Sequence, residues 1–229
     1  MAAGLEDEDI TAEVRATVGR PAEEILRVAD EEGCGMIAMS THGRNAITRG
    51  ILGSVTDKVL HASDAPILTI APERARKYQE DKASLETLVV PLVGSELAER
   101  ALPYAEKLAG LLSLKILLAR VVRFERPHYT VSGVELPDLT EQLVHEASEY
   151  LEGISKEVGS RGLKVETKVL RRAPAPVLLD LAHQTPQSCI AMTTHARSGL
   201  SRWMMGSVAE ALVRGSGEPV LLIRPHLST

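Results

Sequence analysis

Two short strings in this sequence carry the residue types that an anion site needs. Ser40-Thr41-His42-Gly43 is followed, after nine residues, by Gly53-Ser54-Val55. Thr193-Thr194-His195-Ala196 is followed, after nine residues, by Gly206-Ser207-Val208. A glycine lets a ligand approach the backbone closely. A serine just after it opens a helix, where unpaired N–H groups and the helix dipole favour negative charge. The chemistry would be phosphate binding. No lysine follows at the spacing of a P-loop, so this is not one. Taken alone, Gly53-Ser54 reads first as a plain helix N-cap. Its recurrence in one strand–turn–glycine–helix context points instead to an ancestral nucleotide site. Arg44, Arg49, Arg197 and Arg202 lie in the loops over these strings. They could meet phosphate oxygens, or be solvated loop charges. His42 and His195 hold equivalent positions with no evident acid–base partner, which suits lining a ligand or stabilising a turn better than catalysis. Trp203, Met204 and Met205 read as packing residues.

The elements that position these strings come in two copies. Pro21–Pro72 aligns without gaps onto Pro174–Pro225 at a constant offset (195 − 42 = 206 − 53 = 153). Identical pairs include Ile37/Ile190, Met39/Met192, Thr41/Thr194, Val55/Val208 and Pro66/Pro219. The second copy begins near Leu85, so the matching start of the first falls at 85 − 153 = −68. The first copy thus lacks its front half, two strands and a helix. Its remaining part reads as strand Ala12–Val18, a helix from Pro21, strand Met36–Met39, helix Ser54–Ser63 and strand Ile67–Ile70. Glu73–Ser84 is charged, lacks periodicity and reads as a linker. The second copy reads as strand Thr87–Leu92, helix Ser95–Leu111, strand Lys115–Val122 and a loop from Arg123 to about Pro137. Helix Asp138–Val158, strand Val165–Leu170, helix Pro174–His183, strand Ser188–Thr193, helix Ser207–Arg214 and strand Val220–Ile223 follow. Such alternation predicts a doubly wound parallel sheet with helices on both faces. Ligands of such sheets sit outside the carboxyl ends of the strands. Pro91 and Val93 after the first strand, Val121 in the second and Thr193 onward after the fourth should meet there.

Composition narrows the partners. Hydrophobic residues make up 44% and charged residues 25%, with a net charge of −5 and aromatics at only 3%. Neither surplus cations nor stacking rings are present, which argues against nucleic acid. No apolar run is long enough to span a membrane. The acidic start, Glu6 to Asp9, argues against a secretory signal. Cys34 and Cys189 form no paired or metal-spaced set, and both are expected in the core. A cytoplasmic location fits. No metal-ligand spacing occurs.

Met-Ser-Thr-His-Gly-Arg, Gly-Ser-Val-Thr-Asp-Lys-Val-Leu and Ala-Pro-Ile-Leu-Thr-Ile resemble the end of a universal stress protein domain. Val-Pro-Leu-Val-Gly-Ser-Glu-Leu-Ala-Glu-Arg-Ala-Leu resembles the beginning of one. The resemblance implies a five-stranded parallel sheet of order 3-2-1-4-5, as one complete domain plus a C-terminal half domain. The divisions would be a truncated domain over 1–72, a linker over 73–84 and a complete domain over 85–229. It also implies pairing of domains or subunits through the last strands. Some members bind ATP through Gly, two residues, Gly, nine residues, then Gly-Ser or Gly-Thr. Here Ser40 stands at the first glycine of the first copy, while Gly43, Gly53 and Ser54 match. In the second copy Thr193 and Ala196 replace both leading glycines, and Gly206 and Ser207 remain. The acidic residue that would contact adenine or ribose is Val93.

The candidate nucleotide-binding set is therefore Ser40, His42, Gly43, Arg44, Gly53, Ser54 and Val55 from the first copy. From the second it is Pro91, Val93, Val121, Thr193, His195, Ala196, Arg197, Gly206, Ser207 and Val208. The cofactor these turns suit is ATP with Mg²⁺. Three functions stay open: a regulatory ATP-binding module, favoured by the Gly-Ser-Val turns; a pairing or scaffold module, favoured by Val93 and Ala196; and a nucleotide hydrolase, for which no base or lysine can be named. The missing half leaves Met36–Met39 with a bare edge, which predicts a homodimer or close docking of the two copies.

Overall fold

The computed structural model describes residues 11–41, 52–81, 84–123, 140–185, 187–195 and 205–224. Along them come α1 (Pro21–Glu31), β1 (Ile37–Ser40), α2 (Ser54–Ala62), β2 (Ile67–Ile70) and α3 (Pro72–Asp81). Then follow β3 (Thr87–Leu92), α4 (Glu96–Glu99), α5 (Leu102–Leu112), β4 (Lys115–Val122), α6 (Thr140–Gly159) and β5 (Val165–Arg171). The chain continues with α7 (Pro174–Gln184), β6 (Ser188–Thr193), α8 (Ser207–Gly215) and β7 (Val220–Ile223).

All strands join one seven-stranded sheet of order β1-β2-β7-β6-β3-β4-β5. This overturns the expected five-stranded sheet with a separate half domain. The cause is the pairing of β2 with β7, antiparallel, with Ile67 opposite Leu222 and Thr69 opposite Val220. Every other neighbouring pair is parallel, so the sheet is mixed. The hydroxyl of Thr69, itself buried, donates to the carbonyl of Val220 at 3.2 Å across this seam.

The seam is clamped at both ends. Arg74 of α3 reaches Glu218, just before β7, through two hydrogen bonds of 2.9 and 2.5 Å. Arg224, just after β7, reaches Asp64, just before β2, at 3.3 Å. It also donates to the carbonyls of Ala62 and Ser63 at 3.5 and 3.4 Å. Each clamp joins a residue after one last strand to a residue before the other.

Two apolar layers flank the sheet. On one face Leu60, Val59, Leu178, Leu181 and Leu212 of α2, α7 and α8 pack on Val89, Leu117, Ile190 and Leu222. On the other, Ala98, Leu102, Ala105 and Leu151 of α4, α5 and α6 pack on Leu88, Val90, Leu118 and Leu221. The central strands are buried on both faces, which explains their near-continuous apolar runs.

Several local expectations are corrected. Residues 12–18 form no strand and are mostly exposed, Val14 and Val18 included. Among the described residues no neighbouring strand is there to pair with them. Glu73–Ser84 contains a helix, α3, although no apolar stripe marks it. Arg74 and Tyr78 both reach Glu218, and they hold it in place. The helix expected over Ser95–Leu111 is two, α4 and α5. Pro103 lacks an N–H and would clash with the carbonyl four residues back, so the helix restarts at Leu102. Cys34 is exposed rather than core, in the turn after α1. Cys189 is buried, and burial pushes its thiol up to about 12, which keeps it unreactive. Among the described residues β1 pairs only with β2, which leaves its other edge bare.

Candidate functional site

The two Gly-Ser turns fold alike. In the second copy the N–H of Thr194 bonds the carbonyl of Ile223 at 2.9 Å, and Gly206 N–H bonds the carbonyl of Thr194 at 2.9 Å. In the first copy Thr41 bonds Ile70 at 3.0 Å and Gly53 bonds Thr41 at 2.9 Å. Both glycines cap their helices in an extended conformation, with φ near −64° and ψ near 145° (Gly53 −64°, 144°; Gly206 −63°, 146°). Neither needs left-handed backbone, so the glycine serves close approach. A β-carbon at Gly206 would lie 3.0 Å from the Thr194 carbonyl oxygen.

The first intrahelical bond of α8 runs from Glu210 N–H to the Gly206 carbonyl, 2.9 Å. The N–H groups of Ser207, Val208 and Ala209 are therefore the orphan donors of the helix start. Gly206 has no side chain to cap them. They open into a cleft of about 500 Å³ at the carboxyl ends of β3, β4 and β6.

That cleft brings together Pro91, Val93, Val121, Thr193, His195, Gly206, Ser207 and Val208. Ala196 and Arg197 lie outside the described residues, as do His42, Gly43 and Arg44. Ser40, Gly53, Ser54 and Val55 are not part of it. Reversal of strand direction at the β2–β7 seam puts their turn at the opposite end of the strands. Thr56 donates to the Ser40 carbonyl at 3.0 Å, so that turn is tied to its own strand.

Val93 is 43% exposed and turns an apolar side chain to the cleft mouth. Thr193 donates to the His195 carbonyl at 2.8 Å, which fixes the turn after β6. The His195 ring stands with Nδ1 3.3 Å from the Thr194 hydroxyl, and its buried Nε2 has no hydrogen-bond partner among the described residues. Burial lowers its pKa from the ordinary value, and the charges of Arg224 and His61 add to this. His61 ends α2, so the first copy reaches the second copy's site at this point. A histidine whose folded pKa is lowered binds its proton less readily than in the unfolded chain. Its contribution to stability is present above about pH 6.5 and is lost as pH falls through the folded value. Proton NMR titration should find the His195 ring more than half neutral at pH 6.5. A ring titrating above 6.5 without ligand would contradict this environment.

Arg120 lies in the segment Ala119–Val122 expected at the site, although it is not among the candidate binding residues; Arg123, Leu143, Glu146 and Met192 also line the cleft and were missed. Arg120 had a signal: it is the lone charge in Ile116–Val122 of an otherwise apolar strand. Leu143 and Glu146 are three apart on α6, hence on one face of that helix. Among the described residues no group of three or more His, Cys, Asp or Glu side chains could hold a metal ion. No helix among them is long and apolar enough to cross a membrane.

The sequence profile of the universal stress protein family matches residues 1–71 and 85–224. A universal stress protein of Methanocaldococcus jannaschii is 26% identical over 137 residues, 60% of this chain and 81% of that protein. Another from the same organism is 38% identical over 66 residues, 29% of this chain and 41% of that protein. The crystal structure of a universal stress protein from Archaeoglobus fulgidus superposes with a TM-score of 0.71 at 21% identity, covering 98% of this chain and 75% of that one. At that identity the likeness is one of fold. With most of its length matched, the chain belongs to the universal stress protein family.

Proposed function

We propose that the chain is a regulatory adenine-nucleotide-binding module whose site is the cleft of its second copy. The nucleotide phosphates would meet the N–H groups of Ser207, Val208 and Ala209. The nucleoside would lie over Pro91, Val93 and Val121, with Thr193 and His195 along its side. The observation that carries this reading is the uncapped start of α8 opening into a cleft of about 500 Å³. A helix start of this kind favours phosphate. Mg²⁺ would arrive on the phosphates of ATP rather than on protein ligands. Members of the family are in general binding and regulatory modules rather than catalysts. We also read the chain as two units, 1–72 and 85–229, with 73–84 between them.

Val93 favours a second reading, a pairing module that has lost its nucleotide. An exposed valine cannot accept a hydrogen bond from a ribose hydroxyl or an adenine amine. Calorimetric titration with Mg²⁺ and ATP separates the two, after a check for co-purified nucleotide. Saturable micromolar binding supports the regulatory module. No heat up to millimolar ATP leaves the pairing module as the function.

A further inference from the structure

The cleft holds a cation for which the nucleotide reading has so far given no role. Arg120 lies in β4 opposite Leu92 and is half-buried. Its guanidinium stands 4.6 Å over the ring of Tyr150. The Tyr150 hydroxyl donates to Oε1 of Glu99 at 2.7 Å, which fixes the ring. On its other side the guanidinium lies against Gly94. That glycine has φ +80°, and a β-carbon there would come within 3.0 Å of an Arg120 nitrogen. Arg120 is therefore held between a ring and a bare backbone, facing the cleft. Among the described residues its five N–H donors have neither a hydrogen bond nor an ion pair. Glu146, also on the cleft, accepts from Gln142 at 2.9 Å instead.

A half-buried guanidinium without an acceptor is costly unless an anion completes it. Its position says which anion. Arg120 sits beside the tip of β3, where Val93 stands in place of a residue able to accept from ribose hydroxyls. In dinucleotide sites the same exchange, an acidic side chain lost and an arginine gained, turns ribose recognition into recognition of a ribose phosphate. The start of α8 follows β6, which is two strands from β4 in the sheet order, and it lines the same cleft. Arg123 adds charge at the same mouth.

We propose that Arg120 selects nucleotides that carry a phosphate on the ribose in addition to the 5′ phosphate. This rests on the nucleotide reading above and names the ligand class of that site. The fork of an arginine grips a phosphate through paired hydrogen bonds, which a valine-lined ribose pocket cannot offer to bare hydroxyls.

The test compares AMP, ATP, adenosine 2′,5′-bisphosphate and adenosine 3′,5′-bisphosphate by calorimetry on the whole chain. One of the bisphosphates should bind about tenfold or more tighter than AMP. Arg120→Gln should bring the two within about twofold, and Arg120→Lys should keep part of the difference. Thermal melts of both variants confirm folding, and a preference in the unmutated chain that shrinks with added salt serves as a second measurement. Preference retained in R120Q overturns the role of Arg120. Equal affinity for AMP and both bisphosphates overturns the inference and leaves the nucleotide reading standing. Absence of binding by all four overturns both.

Discussion

Arg74→Met should destabilise the chain by about 3–5 kcal/mol at neutral pH, because it leaves a buried carboxylate without its partner. Glu218 is 8% exposed and Arg74 21%, so water screens the pair little. Burial pushes the Glu218 carboxyl above the ordinary range, and the hydrogen bond and charge of Arg74 pull it part of the way back. Burial acts to lower the pKa of Arg74, yet its bond and charge pairing with Glu218 leave it raised. Glu218 is the more enclosed of the two, so its loss of hydration governs the pair. Its folded pKa lies above its unfolded one. Its contribution is therefore complete below the unfolded value of about 4.5 and is lost as pH rises through the folded value. Without Arg74 the folded value moves further up. The loss in R74M should then be large at pH 8 and small near pH 5, as read by urea denaturation. Glu218→Gln in the same background should recover most of it at pH 8. A loss of equal size at both pH values would contradict the account.

Ser207→Glu should weaken ATP binding by about ten- to a hundredfold while leaving the melting temperature unchanged or slightly raised. Ser207 is exposed in the first turn of α8. A carboxylate there suits the helix dipole and stabilises the helix by about 0.3–1 kcal/mol. It also occupies the orphan N–H groups and repels phosphate. Charge-assisted hydrogen bonds of about 1.5–3 kcal/mol are at stake, which gives the expected range. The opposite signs for helix and ligand separate a binding defect from a folding defect. Calorimetry on Ser54→Glu is the control. That turn lies at the opposite end of the strands, so an equal loss there would move the site to the first copy.

The repeat and most of the elements were legible because they rest on local patterns. The 153-residue offset carried the Gly53 and Gly206 turns together, and the two fold alike. Buried strands such as Leu88–Leu92 and Ile116–Ala119 announced themselves by continuous apolar runs. The merging of the copies into one sheet was not written in the residues. Ile67–Ile70 and Val220–Ile223 are short apolar strands whose pattern carries no direction. α3 was hidden for a related reason: its anchor is Glu218, more than 140 positions away. Ala12–Val18 alternates like a strand, but alternation cannot supply a neighbour. At the site, the Gly-Ser turns gave the phosphate end. The other end was harder to read, because Arg120 gains meaning only beside Tyr150 and Gly94, which approach it through the fold.

The central claim is that nucleotide binds at the carboxyl ends of β3, β4 and β6. Amide NMR during titration with Mg²⁺ and ATP tests it most directly. The account predicts saturable shifts at Gly206, Ser207 and Val208, together with Val93, Gly94 and Arg120. Shifts confined to Gly53–Val55, or none up to millimolar ATP, would contradict it.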